Sequence, residues 1–517
     1  MSNSSGKNGL AVLVGAGPGE AGLITVEGRQ WLARAEVVLY DRLAAADLLK
    51  ACPTGTERIY VGKEPGAPAR TQGDICSLLV EHCRAGKLVV RLKGGDPLIF
   101  GRGGEEADAL AEAGLPYRIV PGITAGIAAG ACAGIPLTDR RVASTVTFVT
   151  GHEDPAKDES AIDYDALARL HTLVFYMGVG NLPSIAEKLI AAGRDGETPV
   201  AVVQNAARPG QRTLVATLAT VAEEARSADI RPPAVVIVGQ AARFRERLGW
   251  MEKLPLWGRT VLVTRTRRQA SRLSARLVEL GANALECPTI EIRPPDDWYP
   301  LDDALDRLDD FDWLVLTSPN GAHGVVSRMR KLGLDGRCLA GIRIAAVGPA
   351  TADVLRRSFI EPDLLPERFT TTALGEALTA ELAGAHCRCL LARADIATPD
   401  LPNLLLDAGA EVEEVTAYRT VPPDALPEEA LEALHSGTAD WITFTSSSTV
   451  DNFMSLLAGE GLSLEGIRLA SIGPVTSRTL GHHGLTPDAE ADRHTIDGLI
   501  DALLATVQNE ADGDQDQ

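Results

Sequence analysis

Four times before residue 135 the chain runs a short apolar stretch into a glycine-bearing turn and then into a helical stretch, and few folds accept that pattern. Leu10–Val14 leads into Gly15-Ala16-Gly17-Pro18-Gly19, and Ile59-Tyr60-Val61 leads into Gly62-Lys63. Val89-Val90-Arg91-Leu92-Lys93 breaks into a longer turn, Gly94 to Gly104, before Glu105-Glu106 opens a helix, and Arg118-Ile119-Val120 meets Pro121-Gly122-Ile123-Thr124-Ala125. An open α/β sheet offers ligand groups in such turns, at the C-terminal ends of its strands. Asp41, Lys63 and Asp96 all follow strands, so they are expected on one edge. The turn after Lys93 is the most glycine-dense. Residues without Cβ take positive φ and let backbone approach a ligand closely, and an ordinary strand-to-helix turn needs one glycine.

The first turn has the outline of a dinucleotide-binding loop, with Asp41 about 20 residues on as the ribose acid. It lacks the third glycine at the required spacing, and Pro18 removes a backbone donor that a pyrophosphate would use. The dinucleotide reading fails there. From about Val142 the segments 145–150, 172–177, 198–204 and 234–239 read as strands, with helices over 182–192 and 218–228 between them, which predicts a second lobe with a mixed sheet.

Past Trp257 the chain repeats itself. Asp312-Trp313-Leu314-Val315-Leu316-Thr317-Ser318 returns as Asp440-Trp441-Ile442-Thr443-Phe444-Thr445-Ser446. Gly341-Ile342-Arg343 through Thr351 returns as Gly466-Ile467-Arg468 through Thr476, and Leu262-Val263-Thr264-Arg265 returns more loosely as Leu390-Leu391-Ala392-Arg393. A repeat of this length predicts two similar α/β lobes, not a solenoid. The expected division is a flexible N-terminus at 1–9, a first unit at 10–247 with lobes of about 10–140 and 141–247, and a linker at 248–256. A second unit follows at 257–507, and a disordered acidic tail at 508–517.

A chain of 517 residues exceeds one core. Its net charge of −20 and aromatic content of 4% argue against a nucleic-acid surface. An anionic substrate would therefore need a local arginine cluster. No apolar run approaches membrane-spanning length. The eight cysteines are scattered, and Cys387-Arg388-Cys389 has no second pair beside it, so no metal site is expected. With no apolar signal core near Met1, a reduced cytoplasm is the expected location.

The first half resembles the uroporphyrinogen-III C-methyltransferases among the tetrapyrrole methylases, from about Leu10 to Arg247. The resemblance rests on Val14 to Gly19, Tyr40-Asp41, Val61-Gly62-Lys63, Arg91 to Glu106 and Pro121 to Ala125. Gly134-Ile135-Pro136-Leu137-Thr138, Val149-Thr150-Gly151-His152 and Tyr176-Met177-Gly178 continue it in order. It implies a two-lobed α/β methylase that moves methyl groups from S-adenosylmethionine to C-2 and C-7 of uroporphyrinogen III, giving precorrin-2, as a homodimer through this half. By matched position Pro18, Gly94, Gly95, Asp96, Ile99, Thr124, Ala125, Met177 and Ala206 would line the cofactor cleft. Asp41 would take a proton and Lys63 would give one. Arg102 and Arg140 would clamp substrate carboxylates bidentately. The chain departs from the family at Asp139, often histidine, and at Gln204-Asn205-Ala206, often Glu-Asn-Gly.

The second half, about Leu256 to Leu504, resembles uroporphyrinogen-III synthase through Val263-Thr264-Arg265, Thr317-Ser318-Pro319-Asn320, Val347-Gly348, Ala417-Tyr418-Arg419-Thr420, Thr445-Ser446-Ser447 and Ile472 to Thr476. This implies two flavodoxin-like lobes facing across a cleft, with 257–288 joining the last third of the chain; the repeat by itself leaves sequential lobes equally open. It also implies cyclisation of hydroxymethylbilane to uroporphyrinogen III without a cofactor. Tyr418 would assist loss of the substrate hydroxyl, or else end a strand with its ring in the core. Ser318, Thr351, Ser446, Ser447 and Thr476 would bind carboxylates or serve as helix caps. The whole chain then reads as a bifunctional tetrapyrrole enzyme. Its rivals are a methylase of a later precorrin, against which the fused synthase counts, and a non-catalytic tetrapyrrole-binding protein, against which the retained Asp41, Lys63 and Gly94-Gly95-Asp96 count.

Overall fold

The computed structural model describes residues 9–41, 46–62, 70–152, 161–265, 267–382 and 387–513, and Lys63 therefore lies outside the described residues. The chain divides into two compact units, Met1–Gly258 with Leu280–Asn283, and Arg259–Glu279 with Ala284–Gln517.

The first unit holds two sheets. Strands β1 (Leu10–Gly15), β2 (Val37–Tyr40), β3 (Glu57–Tyr60), β4 (Leu88–Lys93) and β5 (Tyr117–Val120) run parallel in the order β3-β2-β4-β1-β5. A parallel sheet is covered on both faces and wants apolar side chains on both. Strand β1 obeys, whereas the central strand β4 buries Arg91 and Lys93. The second sheet holds β6 (Val146–Thr150), β7 (Thr172–Tyr176), β8 (Pro199–Gln204), β9 (Arg212–Thr217) and β10 (Ala234–Val238), in the order β6-β7-β10-β8-β9. Only β6 and β7 pair in parallel, so the sheet is mixed. Strand β9 has no counterpart in the sequence reading; its partly exposed edge position leaves no clean apolar run. The small-residue helix Ala125–Ala133 lies against this sheet, Ala129 and Ala133 packing with Val174, Tyr176, Val235 and Ile237.

Segment 248–256, expected as a linker, is folded onto the first unit instead. It includes a short 3-10 turn at Met251–Lys253; Trp250 Nε1 donates to Ala131 O at 3.0 Å, and Leu256 is fully buried. Aromatic and leucine side chains in a supposed tether were the sign that it had a surface to bury.

The second unit carries β11 (Thr260–Val263), β12 (Asn283–Glu286), β13 (Glu291–Arg293), β14 (Trp313–Leu316), β15 (Arg343–Ala346), β16 (Arg388–Ala394), β17 (Glu411–Val421), β18 (Trp441–Phe444), β19 (Arg468–Ser471) and β20 (Ala489–Glu490). They form two sheets, β12-β11-β18-β19-β20 and β13-β17-β16-β14-β15. The chain thus begins one sheet, completes the other, and returns. The sequence repeat maps onto equivalent positions, with β11, β18 and β19 matching β16, β14 and β15. Its paired aspartates do the same work twice: Asp312 accepts from Arg388 N–H at 2.8 Å and Asp440 from Thr260 N–H at 2.7 Å. Trp313 and Trp441 are both buried, with Arg343 and Arg468 over their rings. The expected disordered tail from 508 is partly helical: Ile496–Gly513 is one helix, held by an ion pair between Glu510 and Arg468.

Candidate functional site

The turns of the first sheet are clasped to one another before they can meet any ligand. Gly17 N–H donates to Gly95 O at 3.2 Å and Gly95 N–H returns the bond to Gly17 O at 2.7 Å. A Cβ on Gly122 would stand 2.2 Å from Gly95 O, and one on Gly15 would stand 2.5 Å from Gly122 Cα. Gly101 and Gly103 are pressed against Pro97 O in the same way. Most of these glycines therefore serve backbone against backbone, which revises the expectation that they exist to admit a ligand. Asp96 staples the clasp. Its carboxylate accepts from Leu98 N–H at 2.8 Å, Ile99 N–H at 3.2 Å and Gly122 N–H at 3.0 Å.

Below the clasp lies a cavity of about 610 Å³, inside the range of about 300–1,000 Å³ usual for small-molecule sites. Pro18, Asp41, Gly94, Gly95, Ile99, Arg102, Thr124, Ala125, Met177 and Ala206 all line it. Asp96 stands behind the lining. Arg140 is in an exposed turn away from it, where Asp139 gives its two carboxylate oxygens to Arg141, both at 2.9 Å. Four of the lining residues, Phe100, Arg102, Met177 and Asn205, hold left-handed backbone with φ between 52° and 57°. Such conformations cost free energy and persist where the surroundings over-determine them. Arg102 is also the residue before helix Gly103–Glu112, and its guanidinium grips both oxygens of Glu105 at 2.7 and 2.8 Å.

Sequence reading missed the charged floor. Arg91 Nη2 meets Asp41 Oδ2 at 3.1 Å, while its Nε meets Glu106 Oε1 at 3.2 Å. Lys93 Nζ shares that Glu106 oxygen at 2.7 Å, and Glu106 has no exposed surface. Burial, then the neighbouring Arg91, pulls the Lys93 ammonium below its ordinary value. Two cations in a central parallel strand were the available signal, because nothing buries them unless partners wait inside. Tyr176 was missed too. Its hydroxyl lies 2.8 Å from Thr124 Oγ1, accepts from Gly126 N–H at 2.8 Å, and is raised in pKa chiefly by burial.

In the second unit, Ser318 and Ser446 cap the helices Pro319–Lys331 and Ser447–Ala458, accepting from Gly321 N–H at 3.0 Å and Thr449 N–H at 3.3 Å. Ser318 Oγ also lies 3.0 Å from Tyr418 Oη, across 100 residues of chain. Ser447 accepts from Thr479 Oγ1 at 2.8 Å. Thr351 and Thr476, 1% and 3% exposed, are buried in the first turns of Pro349–Arg356 and Pro474–His482. Ser318, Thr351 and Tyr418 belong to the lobe of β13–β17, and Ser446, Ser447 and Thr476 to the other. Among the described residues no cluster of His, Cys, Asp and Glu could hold a metal ion, and no helix is long and apolar enough to cross a membrane.

Fold and site define a class: a clasped-loop α/β enzyme with a small-molecule cavity, joined to a second enzyme of two repeated α/β lobes. Residues 11–222 match the tetrapyrrole (corrin/porphyrin) methylases, and residues 271–501 match uroporphyrinogen-III synthase HemD. The porphyrin biosynthesis protein HemD of Ruminiclostridium josui is 37% identical over 499 residues, 96% of this chain and 98% of that protein. The S-adenosyl-L-methionine-dependent uroporphyrinogen III methyltransferase of Methanosarcina barkeri is 45% identical over 246 residues, 47% of this chain and 96% of that one. A crystal structure of uroporphyrin III C-methyl transferase from Thermus thermophilus, 42% identical, covers 46% of this chain and 99% of its own with a TM-score of 0.40. The chain belongs to the fused family in which a tetrapyrrole methylase precedes a HemD-type uroporphyrinogen-III synthase, and it is a bifunctional enzyme of porphyrin biosynthesis.

Proposed function

We propose that the second half cyclises hydroxymethylbilane to uroporphyrinogen III and that the first half methylates this product at C-2 and C-7, giving precorrin-2. The observation that carries the reading is the convergence of eight of the nine positions matched to the cofactor cleft, together with Asp41 and Arg102, on one cavity. The volume and the mixed lining of Ile99, Met177, Thr124 and loop backbone suit S-adenosylmethionine, which when bound supplies an electrophilic methyl group. Asp41 then serves as the base for the protons the methylated macrocycle must lose, its carboxylate aimed by Arg91. Lys63 returns a proton. Arg102 takes a substrate carboxylate by exchanging Glu105 for it, and Arg140 takes another from its exposed turn outside the cavity lining. Holding donor and acceptor in line carries much of the rate, so the stapled loop is part of the chemistry.

In the second half Tyr418 gives a proton to the departing hydroxyl. The capped helix N-termini at Ser318, Ser446 and Ser447, with the first turns holding Thr351 and Thr476, receive carboxylates. No cofactor is assigned to this half. We place the enzyme in the cytoplasm as a homodimer through its first half, without nucleic-acid or membrane partners. The test is an anaerobic reaction of the purified chain with hydroxymethylbilane and S-adenosylmethionine, followed by absorbance and mass. A doubly methylated uroporphyrinogen III is expected, and its absence overturns the two-step reading.

A further inference from the structure

We infer that Ser318 is a positioning residue for Tyr418: it donates its hydroxyl hydrogen to the phenolic oxygen and so keeps the phenolic hydrogen available for the substrate. This rests on the reading of Tyr418 as the acid of the cyclisation.

Ser318 Oγ carries one hydrogen and two lone pairs. One lone pair is committed, because Gly321 N–H can only donate and does so at 3.0 Å. Tyr418 Oη, 3.0 Å away, is the remaining partner of that hydroxyl among the described residues. If the phenol donated, Ser318 would accept twice, and the tyrosine would have spent its hydrogen inside the protein. If the serine donates, both atoms are satisfied and the phenolic hydrogen points elsewhere. The serine also sits at the N-terminus of a helix of 13 residues, whose free N–H groups favour negative charge beside them. A phenolate forming at Tyr418 is stabilised by that same hydrogen bond.

The contact is built, not incidental. A Cβ on Gly321 would stand 2.9 Å from Ala392 O, and one on Gly324 would stand 2.5 Å from Ala417 O. Neither glycine has positive φ, so close approach is what they provide. They let helix Pro319–Lys331 lie directly on β16 and β17, beside the strand that carries Tyr418 next to Ala417. The internal repeat supplies a control. Ser446 caps its helix as Ser318 does, but its hydroxyl partner beyond the cap is Ser448 at 3.0 Å, with no tyrosine. Capping alone therefore does not account for the tyrosine contact.

In the step itself, the C–O bond of the substrate hydroxymethyl group breaks with its electron pair going to oxygen. Tyr418 gives that oxygen its proton, water leaves, and the cation is carried by the pyrrole. The phenolate held by Ser318 recovers a proton when the ring-closing carbon loses one, so tyrosine is regenerated and water is the net by-product.

The test is a double-mutant cycle in the full chain, reading kcat, the yield of the III over the spontaneously formed I isomer, and the thermal unfolding midpoint. Tyr418→Phe should lower kcat about 100- to 10,000-fold, the effect of losing a general acid, and Ser318→Ala about 10- to 100-fold, the effect of losing a hydrogen bond to a charged group. The double variant should be no slower than Tyr418→Phe, while the loss of the cap lowers the unfolding midpoint equally in both backgrounds. Ser318→Thr, which keeps a hydroxyl at the cap, should restore the rate. An equal loss of kcat when Ser318→Ala is added to the Tyr418→Phe variant overturns the inference while leaving Tyr418 as the acid. Full activity of Tyr418→Phe overturns the reading of Tyr418 itself, and the inference with it.

Discussion

At the scale of single residues, Asp96 shows how a side chain can matter to a cavity it does not line. Its carboxylate satisfies three backbone N–H groups, and through Leu98 and Ile99 it fixes the wall that faces the site. Asp96→Ala should cost about 1–3 kcal/mol of stability, the usual result of leaving such donors unmet. It should also weaken S-adenosylmethionine binding, read by urea unfolding and by calorimetric titration. Cys287 supports a pH prediction. It is fully buried, and burial pushes its thiol up to about 12, against about 8.5 for an unfolded cysteine. A group raised in the folded state contributes stability that is whole below about pH 8.5 and drains as pH rises toward the folded value. Between roughly pH 9 and roughly pH 10 this thiol should remove about 1.2 kcal/mol. Urea titrations should show that slope reduced in Cys287→Ala.

At the scale of elements, the clasp between the first-sheet turns is held by close backbone-to-backbone contacts. Gly122→Ala would press a methyl group into Gly95 O, and overpacking of that kind costs about 1–3 kcal/mol or more. Circular dichroism should show the sheets retained while S-adenosylmethionine binding is lost. Much of this architecture was legible in the sequence. The apolar runs of β1, β4, β7 and β8 fixed the strands, and helix Leu182–Ala191 falls within the stretch 182–192 read as helical. The repeat marked which elements of the second unit correspond. Three things were not legible. The glycines announced tightness without saying what they were tight against, since a missing Cβ names no partner. Glu106 read as an ordinary first-turn acid, because only the fold carries Arg91 and Lys93 back to it. The place of Arg140, in an exposed turn outside the cavity lining, had no sign in the residues around it.

At the scale of the whole molecule, two catalytic halves on one chain should fail independently. Asp41→Asn is expected to abolish methylation and leave cyclisation intact, and Tyr418→Phe is expected to do the reverse. Mixed in equal amounts, the two full-length variants should together restore the doubly methylated product from hydroxymethylbilane. Their lag should exceed that of the native chain if one half's product reaches the other half of its own molecule first. Equal lags would show that joining the halves contributes only a fixed ratio of activities.

The interrupted sheet of the second unit also imposes an order in time. Strand β11 is among the first of this unit to leave the ribosome, yet it pairs with β18, and Thr264 Oγ1 reaches Thr443 O across 179 residues. Domains fold as they emerge, at about 5–20 residues per second. The inner lobe of β13–β17 can therefore close on the ribosome, while β11 waits on the order of ten seconds or more for its partner. During that interval its apolar Val261, Leu262 and Val263 are an unpaired edge. The nascent chain is most exposed to misassociation then, at a stage when the first unit has long been complete.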